Sequence, residues 1–313
     1  MKIRFSAWEI LSRAMVTYFL FASQAFAQHG ELKTYAFKQQ GYQRQFILYS
    51  PRGFEGPQVS LPLVVVLHGG GGTARQMIRL SRSRWNELAD EHGFLVVYPN
   101  AVDKIWDFGK GAISEALSQR VNDLEYFKSV IARVQSLKNV DSDRIFATGI
   151  SRGGQASYYL ACNLPSKIRA IMPVAMPLPT YLVDECQNGP PIGIAIMNGT
   201  EDQQVPYNGG TIVVLGKPRD KVLSTSRTLE IWTRQNRCGG LAFKEERDRV
   251  AKDRTSVSIR QWNCDAAPVW LFQINGGGHT WPSGRQYLPV RLVGRTSREV
   301  DAAEEGWRFL SQF

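Results

Sequence analysis

The chain has 313 residues, 43% of them hydrophobic and 21% charged, which excludes a disordered or fibrous protein and leaves ample material for a large core. Its net charge of +10 is scattered without a basic block or a nucleic-acid motif, so it reads as a solvated surface and no nucleic-acid partner is expected. The four cysteines show no Cys-x-x-Cys spacing, which speaks against zinc; neither a metal nor a cofactor is expected.

In chain order, Lys2, Arg4 and Arg13 precede the apolar run Ala14–Ala22, and Ala25-Phe26-Ala27 offers small residues for cleavage. Residues 1–27 are therefore expected to be a secretory signal peptide, and the run is too short for a transmembrane anchor. Residues 28–313 are expected to be one catalytic domain, located in the periplasm or outside the cell. Residues 33–38 and 43–49 suggest an opening hairpin. Strands are predicted near 62–67, 94–98, 144–148, 169–174, 192–197, 256–263 and 268–274. Helices are predicted near 74–91, 122–137, 152–162, 222–236 and 299–312. This alternation implies an α/β fold with a mostly parallel sheet and helices on both faces.

Four segments at strand ends carry chemistry. Strand 62–67 runs into His68-Gly69-Gly70-Gly71-Gly72, whose glycines let backbone N–H groups approach a ligand. Without a following Gly-Lys-Ser/Thr it is not a phosphate loop. Strand 144–148 leads into Gly149-Ile150-Ser151-Arg152-Gly153 and then a helix. Gly-x-Ser-x-Gly in that setting is a nucleophile elbow. Strand 192–197 ends in Asn198-Gly199-Thr200-Glu201-Asp202, and strand 268–274 ends in Gly276-Gly277-Gly278-His279.

An elbow serine needs a base and an acid in the order Ser, Asp or Glu, His. Among His29, His68, His92 and His279, only His279 follows Ser151. Asp202 is the favoured acid because it leaves the end of an apolar strand, where open α/β folds place their sites; Glu201 competes with it. The N–H groups of Arg152 and Gly70 are the expected oxyanion donors, with Gly71 as alternative, and His68 is expected to be structural. Trp281 and Trp106 are candidates for the substrate wall. Arg152 is considered as a contact for a substrate carboxylate.

These residues resemble a known family. His68-Gly-Gly-Gly-Gly, Gly-Ile-Ser151-Arg-Gly-Gly, Asn198-Gly-Thr-Glu-Asp202-Gln-Gln-Val-Pro-Tyr207 and Gly-Gly-Gly-His279-Thr-Trp-Pro are similar to segments of the secreted polyhydroxybutyrate depolymerase and feruloyl esterase group. The resemblance runs from about Lys33 to Phe313. It implies an α/β-hydrolase fold and cleavage of carboxylic esters. Asn198 stands where the family often has His, and Arg152 where it often has Asn; both departures bear on substrate preference.

Export would place the cysteines in an oxidising compartment. The favoured pairing is Cys162–Cys186 and Cys238–Cys264, each bridge contributing roughly 3 kcal/mol through loop closure. The expected substrate is a small or oligomeric ester, with short hydroxyalkanoates first and feruloyl or acetylated carbohydrate esters as the alternative. A soluble ester is expected over a crystalline polymer, since the chain shows no appended binding module. A serine peptidase, an acyltransferase and an inactive binding protein are the rival classes. No stable protein partner is expected.

Overall fold

The computed structural model describes residues 29–54, 56, 58–109 and 121–313. The expected signal peptide lies outside the described residues. No helix among the described residues is long and apolar enough to cross a membrane.

Ten strands form the main sheet. They are β1 (Glu31–Gln39), β2 (Tyr42–Ser50), β3 (Leu61–Leu67), β4 (Leu95–Pro99), β5 (Val140–Ile150), β6 (Ala170–Val174), β7 (Gly193–Gly199), β10 (Cys238–Arg247), β11 (Ser256–Cys264) and β12 (Val269–Asn275). Their order is β1-β2-β4-β3-β5-β6-β7-β12-β11-β10. The central strands, from β4 through β3, β5, β6 and β7 to β12, pair in parallel. Antiparallel strands finish both edges. Apolar side chains on both faces of the central strands explain why runs such as Leu63–Leu67 read as continuous hydrophobics rather than alternating ones.

Helices cover both faces. On one side α3 (Asp123–Leu137) and α4 (Arg152–Asn163) pack Tyr126, Phe127, Val130, Tyr158 and Leu160 against the sheet. On the other, α1 (Ala74–Leu80), α2 (Arg84–His92) and α8 (Ala302–Leu310) bury Met77, Trp85, Trp307 and Phe309. Three smaller helices are α5 (Val183–Gln187), α6 (Thr225–Gln235) and α7 (Val290–Val293). Both expected disulfides are present, Cys162–Cys186 between α4 and α5 and Cys238–Cys264 across β10 and β11.

The elements differ from the sequence reading in several places. The helix expected over 74–91 is two helices, because Arg82 and Ser83 turn into left-handed backbone. The helix expected from 222 starts at Thr225, where the Ser224 side chain accepts from the Arg227 N–H and caps it. Residues 210–222 instead form a two-stranded ribbon, β8 (Gly210–Val214) and β9 (Lys217–Val222), apart from the main sheet. Strand β10 is also new. It is an edge strand with an exposed, charged surface, and such strands carry little apolar pattern.

Candidate active site

The glycine loop, the elbow, the Asp202 loop and the His279 loop all leave the C-terminal ends of parallel strands, respectively β3, β5, β7 and β12. Parallel pairing from β3 to β12 therefore gathers them along one edge of the sheet.

At the elbow, Ser151 has φ 57° and ψ −123°, a conformation that costs energy outside glycine. Its N–H donates to the Val174 carbonyl at 2.9 Å, which pins the turn to β6. The flanking glycines are required by contact. A Cβ on Gly149 would stand 2.6 Å from the Leu67 oxygen, and one on Gly153 2.3 Å from the same atom. Close approach of α4 to β3 thus fixes the serine at the helix N-terminus, where the helix dipole favours developing negative charge.

Asp202 and His279 are joined. His279 Nδ1 lies 2.7 Å from Asp202 Oδ2, and both side chains are nearly inaccessible, at 3% and 2% exposure. The other Asp202 oxygen accepts the N–H groups of Gln204 and Val205, both at 2.8 Å. A carboxylate held on three sides can fix a histidine tautomer. Glu201, the competitor, points outward at 63% exposure and lies 3.6 Å from Arg295. The Asp202 and His279 loops also pack by backbone, since the Glu201 N–H donates to the Gly277 carbonyl at 2.9 Å. Tyr287, which the sequence reading did not single out, donates its hydroxyl to the His279 carbonyl at 2.9 Å.

The Ser151 hydroxyl makes no hydrogen bond among the described residues.

On the oxyanion side, the Gly71 N–H donates to the Lys104 carbonyl at 2.8 Å. That engagement removes Gly71 as the alternative donor. The Gly70 N–H makes no hydrogen bond among the described residues, and Arg152 opens α4, so its N–H belongs to the first helical turn. His68 holds this loop in place. Its Nε2 accepts from the Ala101 N–H at 3.2 Å, so the ring proton sits on Nδ1 and donates to the Gly69 carbonyl at 2.8 Å.

Trp106 and Trp281 are not open walls. Trp106 is fully buried, stacks on His68 with ring centroids 4.6 Å apart, and donates its indole N–H to the His68 carbonyl at 2.8 Å. It supports the glycine loop from beneath. Trp281 is 1% exposed and packs within the core cluster on the α1, α2 and α8 face. Both tryptophans lie in apolar layers that the sequence could not distinguish from a cleft lining.

Arg152 also departs from expectation. Its guanidinium is buried and meets the Trp106 carbonyl at 2.8 Å, Gln155 at 3.1 Å and Asp220 Oδ2 at 3.2 Å. It lies over the Phe108 ring, 4.7 Å from the centroid. A guanidinium so engaged is no waiting contact for a substrate carboxylate. Asp220, on β9, is one of the carboxylates between Ser151 and His279 that the sequence sets aside, because Lys217-Pro218-Arg219-Asp220-Lys221 reads as an exposed polar loop. Asn198, where the family often has His, is buried as well. It accepts from the Met176 N–H at 2.8 Å and donates to Thr225, so it braces β7 against α6.

Burial pushes the His68 pKa down to about 4, and the bond to the Gly69 carbonyl offsets this only partly. The unfolded chain takes up this proton near the ordinary histidine value of about 6.5. The neutral ring therefore stabilises the fold fully above about pH 6.5. That contribution, about 3 kcal/mol, is lost as the pH falls from there toward 4. Thermal midpoints measured across this range should fall more for the wild type than for His68→Gln. Parallel curves would mean that His68 is not held neutral.

Comparison with known proteins agrees with this architecture. The family model described as Esterase PHB depolymerase matches residues 45–175. NocK of Nocardia uniformis subsp. tsuyamanensis is 29% identical over 281 residues, covering 86% of this chain and 80% of that protein. Feruloyl esterase B of Piromyces equi is 28% identical over 86% of this chain, which spans 45% of that longer protein. Poly(3-hydroxyalkanoate) depolymerase C of Paucimonas lemoignei is 28% identical over 38% of this chain and 29% of its own length. Among solved structures, the acetyl xylan esterase from Aspergillus awamori superposes with a TM-score of 0.58 at 14% identity, over 90% of this chain and 99% of that one. The chain thus has an α/β-hydrolase fold and is similar to esterases of the polyhydroxybutyrate depolymerase and feruloyl esterase group.

Proposed function

We propose that the chain is a serine esterase working by two-step acyl transfer, with Ser151 as nucleophile, His279 as base and Asp202 as its orienting acid. Ser151 Oγ attacks the ester carbonyl as His279 Nε2 takes its proton. The N–H groups of Gly70 and Arg152 receive the oxyanion. The carbonyl re-forms, the C–O bond to the alcohol breaks, and His279 gives its proton to the leaving oxygen. Water then repeats the sequence on the acyl-enzyme and frees the acid and Ser151. The observation that carries this reading is the buried 2.7 Å contact of His279 Nδ1 with Asp202, on the same sheet edge as an elbow serine.

The substrate in this reading is a soluble ester of a short hydroxyalkanoate oligomer. A second reading, a feruloyl or acetylated-carbohydrate ester, is favoured by the extent of similarity: feruloyl esterase B aligns over 86% of the chain, the depolymerase over 38%. Export after removal of residues 1–27 fits the two disulfides, since such bonds persist in oxidising compartments.

A substrate panel separates these. Aryl esters of increasing acyl length, 3-hydroxybutyrate dimer and trimer, a polymer suspension and methyl ferulate are assayed side by side. Oligomers should be turned over faster than the suspension clears. Rapid clearing with slow oligomer turnover refutes the soluble-ester reading. Cleavage of methyl ferulate without oligomer cleavage establishes the second one. Turnover of an aminoacyl anilide above every ester would point to a peptidase.

A further inference from the structure

The residue after the nucleophile brings a permanent positive charge to the site, and the ribbon β8–β9 brings the carboxylate that meets it. The ribbon alternates along β9. Asp220 and Val222 are buried, while Arg219 and Lys221 face outward. It is tied down beside the elbow: Pro179 forms a bridge to Val222, the Thr180 hydroxyl donates to the Lys221 carbonyl, and the Leu223 N–H donates to the Leu178 carbonyl. Asp220 thus enters from a separate element and meets Arg152 at 3.2 Å, with both side chains at least nine-tenths buried. A buried pair of this kind is a weak stabiliser compared with apolar packing. Arg152 follows Ser151 directly in the chain and opens α4, so the pair is anchored at the start of the elbow helix.

We propose that Asp220 is a specificity-determining residue that cancels the Arg152 charge, so that the site takes esters with a neutral acyl group and gives no advantage to acyl groups carrying a carboxylate. The inference rests on the esterase reading above and names its substrate class. Interior charges are screened far less than surface ones, so removing one of the carboxylates that act on Arg152, which also faces Asp107, changes the relative rate for an anionic substrate. Asp220 acts through Arg152 and need not touch the ester.

The test compares mono-para-nitrophenyl glutarate with its methyl ester, which differ by one negative charge at the far end of the same acyl chain. The readout is the ratio of their kcat/KM values. Wild type should give a ratio at or below one. Asp220→Asn, which keeps the shape and removes the charge, should raise the ratio about tenfold, the order expected for a unit charge near the acyl group. Asp220→Glu should keep the wild-type ratio. Arg152→Met should shift it the opposite way, and it serves if Asp220→Asn does not fold. A merely structural role would slow both esters together. A ratio within twofold of wild type in both Asp220→Asn and Arg152→Met, or a wild type that already prefers the glutarate, overturns the proposal. Folded wild type inert toward both esters would refute the underlying esterase site instead.

Discussion

Replacing Ser151 or His279 by alanine should each lower kcat toward neutral esters by several orders of magnitude while the thermal midpoint stays close to wild type. Neither side chain holds an apolar layer together, and Ser151 Oγ makes no hydrogen bond among the described residues. The two losses should be similar in size, and the double variant should lose little more, because the members of such a unit act together. Asp202→Asn should lose somewhat less. It keeps the shape but no longer holds the tautomer through the 2.7 Å contact. Glu201→Gln is the control, since that carboxylate faces solvent. Steady-state kinetics on a para-nitrophenyl ester decide the matter. Wild-type hydrolysis by Ser151→Ala would remove the serine from the mechanism, and a greater loss at Glu201 than at Asp202 would exchange the acid.

Gly153→Ala should be among the most damaging small substitutions at the described glycines. The added Cβ would lie 2.3 Å from the Leu67 oxygen and 2.8 Å from the His68 oxygen, both backbone atoms that cannot rotate away. Either α4 moves off β3 or the glycine loop shifts. Overpacking of this severity costs about 3 kcal/mol or more, which corresponds to a drop in Tm of roughly 6–12 °C for a chain of this size. Activity should fall further than stability, because both routes separate Ser151 from the Gly70 N–H. Gly240→Ala, with no atom within 4 Å of its new Cβ, should match wild type in melting and in rate. An active, stable Gly153→Ala protein would contradict the packing of the elbow.

The central strands and the loops that follow them were legible because their signals are local. Buried parallel strands read as apolar runs, and glycine clusters just after them mark tight turns. The order Ser151, Asp202, His279 then left little freedom, since one histidine follows the serine. Other features depend on what packs against them. Trp106 and Trp281 look alike in sequence whether they line a cleft or fill a layer. Asp220 sits among lysine, proline and arginine, and its burial is decided by the ribbon folding down beside α4. The break at Arg82 and Ser83 lies inside a helical pattern whose composition favours continuation.

Strand β6 has a consequence for how such a protein can diversify. It separates β3 and β5, which carry the glycine loop and the elbow, from β7 and β12, which carry Asp202 and His279. Its main chain engages both halves: the Val174 carbonyl takes the Ser151 N–H, and the Ala175 N–H donates to the Met197 carbonyl. The spacing between the halves is therefore written in peptide groups, which every residue type except proline supplies alike. Exposed side chains, including Arg219 and Lys221 of the β8–β9 ribbon, take no part in those bonds. The distance between the elbow and the Asp202–His279 pair thus depends on main-chain bonds that side-chain exchange leaves in place.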